Sequence, residues 1–332
     1  MTKIAINGLG RMGKLVLRRL FDLGLGGQIA LINDPVGDIE THALLLEFDT
    51  VHGRWNGDVS HDQNSISMNG QAIPFTQETK PADLALKGVD LVIECSGKFK
   101  TAESLQPYFD AGVKKVVVSA PVKIEGAANI VYGVNHDTYD GQDIVTAASC
   151  TTNCIAPVVK VMLETFGIEQ ASFTTIHDVT NTQTIVDKAH KDPRRARSAL
   201  NSLIPTTTGS AKAVIQIFPE LEGRINGHAV RVPLLNASLT DIVFDVAQDV
   251  TAEEVNAAMS EAANGALAGI LGYEERPLVS CDFTNDDRST IVDAPSTMVV
   301  NKRQVKIYAW YDNEWGYCCR LADITKMVAE SL

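Results

Sequence analysis

The stretch KIAINGLGRMGKLVLRRLFDLG, residues 3–24, decides the fold. Its opening KIAIN is apolar and β-branched after the lysine, as in a buried strand. After the glycine-rich turn, apolar residues recur at helical spacing as far as Gly24: Met12, Leu15, Val16 and Leu20. QIALIND, residues 28–34, then reads as a second strand. The order strand, glycine turn, helix, strand predicts the first unit of a parallel, doubly wound sheet.

The turn has the spacing Gly8-x-Gly10-x-x-Gly13, which is weak evidence alone because glycine turns are common. Here a strand precedes it, a helix begins within it, and Asp34 ends the next strand. Glycines at these positions let the backbone approach a pyrophosphate at a helix N-terminus. A carboxylate at the end of the second strand accepts hydrogen bonds from ribose hydroxyls and repels a 2′-phosphate. The pattern therefore predicts a dinucleotide site that favours NAD over NADP.

The composition is that of a globular protein, with 45% apolar and 21% charged residues among 332. A chain of this length is long for one hydrophobic core and predicts two domains. The formal net charge of −12 disfavours nucleic-acid and anionic-membrane partners. The N-terminus lacks the pattern of a signal peptide, and no apolar run reaches the roughly 20 residues that span a bilayer. With six cysteines in no secreted-domain spacing, we predict a reduced, cytoplasmic protein.

The sequence texture changes near residue 150. Before it, DLVIECSG (90–97) and KKVVVSAP (114–121) predict further short apolar strands, with a helix between them that Pro107 must kink or shorten. After it, alternating segments such as ASFTTIHDV and KIYAWYDNEWGY predict antiparallel strands with helices on one face. We predict an α/β fold class: a Rossmann-type doubly wound parallel sheet plus an α+β domain with a mainly antiparallel sheet. The predicted domains are 1–149, completed by a C-terminal helix 314–332, and 150–313.

A cysteine lies in TAASCTTNCI, residues 146–155, where Ser149 is suited to cap a helix beginning at Cys150. Pro157 leaves the start of that helix open. A thiol at a helix N-terminus has a lowered pKa, which suits a nucleophile. Cys154 fits a small buried residue better than a metal ligand, since no second Cys/His cluster has ligand spacing, and we predict no metal. His177 ends a strand-like segment, and its roles as partner of the thiol and as satisfied structural histidine are equally supported.

Eight segments, in order along the chain, resemble the phosphorylating glyceraldehyde-3-phosphate dehydrogenases: INGLGRMG, FDTVHGRW, ASCTTNCIAP, TTIH, HKDPRRAR, PTTTGSAKAV, GHAVRVP and WYDNEWGY. The resemblance implies NAD-dependent oxidation of glyceraldehyde 3-phosphate, with Cys150 as acyl-forming nucleophile and His177 as acid and base. It also implies a homotetramer. The thioester is released by phosphate or arsenate, giving 1,3-bisphosphoglycerate or 1-arseno-3-phosphoglycerate.

The resemblance also assigns binding roles. It implies that NAD is bound by Gly8, Gly10, Arg11, Met12, Gly13, Asp34, Ser96, Ser119 and Asn313. It implies that the substrate phosphate and the attacking oxyanion are bound by Ser149, Thr151, Thr180, Arg195, Thr208, Gly209 and Arg231.

The chain departs from the family pattern directly after the histidine. The common pattern is close to S-x-T-N-D-Q, whereas Asp178 and Thr182 here add one carboxylate and remove another. These variants, with IVDKAHKD, RSALNSLIP and LGYEERPLVSCDF, resemble the branch encoded with bacterial arsenical-efflux genes, in which arsenate replaces phosphate. Two other functions remain as alternatives: erythrose-4-phosphate dehydrogenase, which hydrolyses its thioester, and a non-catalytic redox-sensing thiol protein.

Overall fold

The quoted stretch forms β1 (Ile4–Asn7) and α1 (Arg11–Asp22), and β2 (Ile29–Asn33) follows, as predicted. The structure is a computed structural model that describes all residues, 1–332. Its chain divides into two units, one of Met1–Ala148 with Cys318–Leu332, the other of Ser149–Tyr317.

The first unit is built on a nine-stranded sheet in the order β3-β4-β5-β2-β1-β6-β7-β9-β8. Its further elements are α2 (Ile39–Glu47), β3 (Val59–His61), β4 (Ser65–Met68), β5 (Gln71–Thr76), β6 (Leu91–Glu94), α3 (Ala102–Asp110), β7 (Lys115–Val118), β8 (Ala128–Asn129) and β9 (Ile144–Thr146). In this spatial order, all neighbours from β5 through β2, β1, β6, β7 and β9 to β8 pair in parallel. At the opposite edge, β3 with β4 and β4 with β5 pair antiparallel. β1 and β6 are fully buried, and all their residues except the last, Asn7 and Glu94, are apolar, as a parallel sheet covered on both faces requires. The strand order reverses between them, which is the switch point where doubly wound sheets bind ligands.

Pro107 does not break the helix in which it lies. α3 runs unbroken from Ala102 to Asp110, and a reciprocal capping box between Thr101 and Ser104 begins it. Proline removes one backbone hydrogen bond within a helix, and here the cap and the buried side chains Leu105 and Tyr108 keep the helix continuous.

The second unit has an eight-stranded mixed sheet in the order β11-β12-β10-β13-β17-β15-β14, with β16 paired to β17. Its elements are α4 (Cys150–Phe166), β10 (Ile168–His177), β11 (Ile204–Thr207), α5 (Ser210–Ile217), β12 (Ile225–Arg231), β13 (Ser238–Val246), α6 (Ala252–Asn264), β14 (Leu271–Glu274), β15 (Thr290–Asp293), β16 (Met298–Val300) and β17 (Gln304–Tyr311). Pairing is antiparallel except between β10 and β12 and between β14 and β15. The mainly antiparallel sheet confirms the predicted fold class.

α4 is the central helix of this unit and packs against β13, β15 and β17. It begins at Cys150 and continues through Pro157, which settles the start that the sequence left open. Nearly every residue between Thr151 and Val159 is buried, so packing outweighs the roughly 3 kcal/mol that an internal proline costs.

Two further helices complete the chain. A reciprocal capping box between Thr251 and Glu254 begins α6. The terminal helix α7 (Trp315–Glu330) starts in the second unit and continues into the first. None of the helices is both long enough and apolar enough to cross a bilayer.

Candidate active site

The first turn of α4 places Cys150 at a helix N-terminus. Ser149 is the N-cap residue, and its hydroxyl accepts a hydrogen bond from the backbone N–H of Thr152 at 3.2 Å. Ala148, just before the cap, has φ 53°, a left-handed conformation that a side chain adopts only under constraint from its surroundings. The thiol therefore lies where unpaired helix N–H groups and the helix dipole favour an anion.

Cys150 contacts His177 directly. The Sγ atom lies 3.5 Å from Nε2 of His177 and 3.9 Å from the hydroxyl of Thr151. Burial disfavours the thiolate, but the hydrogen bond and the charge of His177 outweigh it and lower the pKa of Cys150. Burial also opposes a charged imidazole, yet Asp178 and Cys150 outweigh that cost and raise the pKa of His177 to about 9. The two shifts together favour a thiolate–imidazolium pair over the neutral pair.

His177 and Arg231 are brought together by strand register. β10 and β12 run parallel, and His177 and Arg231 are paired at their carboxyl ends. Nη1 of Arg231 lies 2.7 Å from Nδ1 of His177, and it donates to the backbone carbonyl of Asp178 at 3.1 Å. The buried Nε of Arg231 has no hydrogen-bond partner. A guanidinium with an unused donor beside a nucleophile is suited to hold an anionic group of a substrate.

Asp178 is buried beside the other ring nitrogen, although the sequence left its orientation open. Its side chain is 0% exposed, and Oδ1 lies 2.8 Å from Nδ1 of His177. The ring nitrogen also lies 3.0 Å from the backbone carbonyl of Asp178. No sequence signal predicted that this aspartate faces inward.

Tyr311 is a second site residue that sequence reasoning missed. Its hydroxyl lies between those of Thr151, at 3.1 Å, and Thr175, at 2.8 Å. Its ring meets the ring of His177 edge to face, with centroids 6.0 Å apart. Buried and partly exposed residues alternate along β17, and this alternation is the signal from which an inward-facing tyrosine could have been predicted.

The remaining predicted anion-binding residues lie in the same unit but make their hydrogen bonds elsewhere. The exposed Thr180 is bonded to Thr182 and Gln183. Arg195 pairs with Asp192 at 3.5 Å. Burial lowers the pKa of Arg231, and the charge of Arg195 adds to that shift. Thr208 accepts a bond from the N–H of Ser210, at the start of α5, where Gly209 is the N-cap residue. None of these four predicted residues hydrogen-bonds to Cys150 or His177. Asn313, predicted to bind cofactor, is buried and accepts a bond from Ser238 at 3.0 Å.

The glycine turn of the first unit fits a dinucleotide pyrophosphate. Gly8 has φ 98°, and a Cβ there would collide with the main chain of Ser96. A Cβ at Gly13 would collide with the carbonyl of Gly8, which makes the turn as tight as the motif requires. A Cβ at Gly10 would meet nothing within 4 Å, and no side chain caps α1 there. The open helix start therefore leaves room for phosphate oxygens.

The other predicted cofactor residues of the first unit are fixed by contacts within that unit. The Asp34 carboxylate accepts from the N–H groups of Leu9 at 2.7 Å and Val36 at 3.0 Å, which fixes it beside the turn. Arg11 is paired with Asp49, and the Met12 carbonyl contacts Cys318 at 3.5 Å. Glu94 holds the two serines: its carboxylate accepts from the N–H of Ser96 at 2.7 Å, and its backbone carbonyl accepts from the N–H of Ser119 at 2.9 Å.

Comparison with known proteins gives one family for both units. The family model described as "Glyceraldehyde 3-phosphate dehydrogenase, NAD binding domain" matches residues 2–102, and the one described as "Glyceraldehyde 3-phosphate dehydrogenase, C-terminal domain" matches residues 149–313. Glyceraldehyde-3-phosphate dehydrogenase 3 of a Nostoc species is 55% identical over 99% of both chains. Glyceraldehyde-3-phosphate dehydrogenase 1 of Bacillus cereus is 48% identical over 98% of this chain and 97% of its own length. The corresponding protein 1 of Bacillus subtilis is 46% identical over 99% of this chain and 98% of its own length.

Proposed function

The chain belongs to the glyceraldehyde-3-phosphate dehydrogenase family, and we propose that it oxidises D-glyceraldehyde 3-phosphate with NAD through a thioester on Cys150. The observation that carries this proposal is the 3.5 Å contact between Cys150 Sγ and His177 Nε2 at the start of α4. Oxidation of an alcohol needs no such nucleophile. Oxidation of an aldehyde to an acyl phosphate does, because the hydride must leave from a tetrahedral adduct.

The thiolate of Cys150 adds to the aldehyde carbon and forms a thiohemiacetal. NAD, when bound, supplies the hydride acceptor. Loss of the hydride from the former aldehyde carbon leaves a thioester on Cys150. An oxyanion then attacks the thioester carbonyl, the carbon–sulfur bond breaks, and the thiolate is restored.

His177 moves the proton that these steps require. Its Nε2 lies 3.5 Å from the sulfur, so we propose that the imidazolium donates from Nε2 to the new alkoxide as the adduct forms on that sulfur. The neutral ring takes that proton back as the hydride leaves. The pKa of about 9 keeps the ring protonated at neutral pH until the alkoxide appears.

Arg231 is our candidate for binding the substrate phosphate, with Thr180 and Arg195 beside it. Its buried Nε lacks a partner, and its Nη1 already contacts the catalytic histidine. For the attacking oxyanion we propose Ser149, Thr151, Thr208 and Gly209. Hydroxyls and helix N–H groups suit this role because they bind an anion without neutralising it.

For the cofactor we propose that the first unit, with the turn Gly8, Gly10 and Gly13, holds the pyrophosphate, flanked by Arg11 and Met12. The fixed carboxylate of Asp34 suits the ribose hydroxyls of NAD. Within this unit, Ser96 and Ser119 are proposed to bind the nicotinamide part of the cofactor.

A homo-oligomer, expected to be a tetramer, is part of the proposal. Five apolar side chains of residues 185–235 are between 63% and 71% exposed: Ile185, Val186, Leu200, Leu203 and Leu235. Four of them lie on the loop between β10 and β11. Exposed apolar side chains concentrated in one loop region indicate a protein interface.

The identity of the oxyanion is the finer part of the proposal. The sequence segments that resemble the branch encoded with arsenical-efflux genes favour arsenate, and with it 1-arseno-3-phosphoglycerate as product. Arsenate has the charge and shape of phosphate, so the same donors serve both. Nothing in the site distinguishes the two anions by chemistry, and kinetics must do so.

We expect NADH formation from glyceraldehyde 3-phosphate to require an added oxyanion and to favour arsenate over phosphate in kcat/KM. A tenfold preference corresponds to about 1.4 kcal/mol. The measurement is the initial rate of NADH formation with each anion varied separately. A preference for phosphate assigns the protein to central metabolism instead. A rate independent of both anions contradicts the proposal and favours thioester hydrolysis, as in erythrose-4-phosphate dehydrogenase.

Arg231→Gln should raise KM for glyceraldehyde 3-phosphate by about 10- to 100-fold, because a charge-assisted bond to the substrate phosphate is lost. The rate with unphosphorylated glyceraldehyde should change far less. Arg224→Gln, at an exposed arginine before β12, is the matched control. Equal losses with both aldehydes would show that Arg231 acts on the thiol and not on the phosphate.

A further inference from the structure

Asp178 presents a buried carboxylate to the side of His177 that faces away from Cys150. Its side chain is 0% exposed, and its N–H donates to the hydroxyl of Ser238 at 3.2 Å, which fixes the backbone. Oδ1 lies 2.8 Å from Nδ1 of His177, although neither carboxylate oxygen receives a well-aligned hydrogen bond. A carboxylate buried at this cost requires an explanation.

Nδ1 of His177 has one donor and two acceptors around it, and the second acceptor is the backbone carbonyl of Asp178 at 3.0 Å. Nη1 of Arg231, at 2.7 Å, is a donor and favours an unprotonated Nδ1. That choice leaves the neutral ring with its proton on Nε2, where it cannot accept the proton of Cys150. The Asp178 carboxylate is an acceptor and favours the opposite state, with the proton on Nδ1.

We propose that Asp178 is a positioning residue whose carboxylate holds Nδ1 of His177 protonated against Arg231. Nε2 is then free to exchange its proton with the thiol. The arrangement is a Cys–His–Asp relay, in which the acid orients the base and stabilises its charged form. The inference rests on the proposed role of Cys150.

Two acidic and two basic groups meet around Asp178. The acidic groups are Asp178 itself and Cys150 on α4, and the basic groups are His177 on β10 and Arg231 on β12. Tyr311 faces the ring from β17, Glu314 adds a carboxylate that opposes ionisation of Asp178, and Arg195 acts on Arg231. Burial raises the pKa of Asp178, and His177 and the Asn313 amide offset part of that rise.

The thiolate–imidazolium pair exists between two pH limits, a lower and an upper edge, and removing the carboxylate should shift both edges in a direction that follows from its charge. The lower edge is ionisation of the thiol, which a nearby negative charge opposes. The upper edge is loss of the imidazolium proton, which the same charge also opposes. Without the carboxylate, both edges therefore move to lower pH. Misplacement of the ring would instead raise the lower edge, because the thiol would lose its cation.

The test uses Asp178→Asn in the full chain, with Asp249→Asn, an exposed carboxylate paired with Arg303, as matched control. The pKa of His177 is followed by NMR of ¹³C-histidine, assigned with His177→Asn. The pH dependence of Cys150 alkylation by iodoacetamide gives the lower edge. We expect the histidine pKa to fall by about one to two pH units, the alkylation edge to move to lower pH, and kcat to drop about 10- to 100-fold.

An unchanged histidine pKa in Asp178→Asn would overturn the proposal, and so would an alkylation edge that rises. Should the amide prevent folding, Asp178→Ser is measured in the same way, and failure of both to fold assigns Asp178 a structural role. Both titrations work without substrate. If the wild-type chain lacks dehydrogenase activity, the proposed function is contradicted, while the two titrations still test whether Asp178 orients His177.

Discussion

Cys150→Ser should reduce NADH formation from glyceraldehyde 3-phosphate by at least about a thousandfold. A serine hydroxyl is not ionised at neutral pH, so the positive environment that stabilises the thiolate has no anion to act on. The 3.5 Å contact with His177 survives the change, because oxygen replaces sulfur at nearly the same place. Geometry is therefore retained while the nucleophile is lost. The measurement is the initial rate with saturating NAD, aldehyde and oxyanion.

The control for this variant is Cys281→Ser, at an exposed cysteine in the same unit. It should keep full activity and normal labelling of Cys150. Iodoacetamide should modify Cys150 in the wild type and abolish its activity. A Cys150→Ser protein with more than about a tenth of the wild-type rate would place the nucleophile elsewhere. A protein whose Cys150 is alkylated quickly but whose wild type releases no NADH would instead be the redox-sensing alternative.

The fold of the first unit could be predicted because its decisive signals are local. The glycine turn, the apolar strand before it and the helical stripe after it lie within residues 3–24, and no distant contact is needed to recognise them. Proline effects were predicted less well. Pro107 and Pro157 both lie within continuous helices, since capping and burial outside the local sequence outweigh their cost.

The candidate site also has one part that local sequence predicts and another that depends on tertiary structure. The cap at Ser149 and the thiol that follows it are local and were read from sequence. The meeting of His177 with Arg231 depends on the parallel register of β10 and β12, two strands that local patterns cannot align.

Asp178 shows a different limit of sequence reasoning. Alternation along β10 buries Phe173, Thr175 and His177, which predicts that the next residue faces the opposite side. The strand ends at His177, however, so Asp178 leaves the alternation and turns its carboxylate inward. Tertiary contacts decide where a strand ends. Comparison with the family pattern therefore shows that an aspartate is present at this position but not which way its side chain points.

His177→Asn should produce the second large effect, and it should change the thiol as well as the rate. Burial alone raises the pKa of Cys150, and the main opposing influence is the hydrogen bond and charge of His177. Without the ring, the thiol pKa rises to or above its usual value of about 8.5. Alkylation at pH 6 should then slow strongly, while the rate at high pH approaches that of the wild type. Loss of the acid and base should lower kcat by about 100- to 10,000-fold.

The two effects are separated by measuring alkylation from roughly pH 5 to 10 and kcat on the same preparations. His228→Asn, at an exposed histidine on β12, is the matched control and should leave both unchanged. If His177→Asn lowers kcat but leaves the alkylation profile unmoved, the thiolate is stabilised by Arg231 and the helix N-terminus instead. The imidazole would then act only on the substrate oxygen, and a relay through Asp178 would have no thiol proton to exchange.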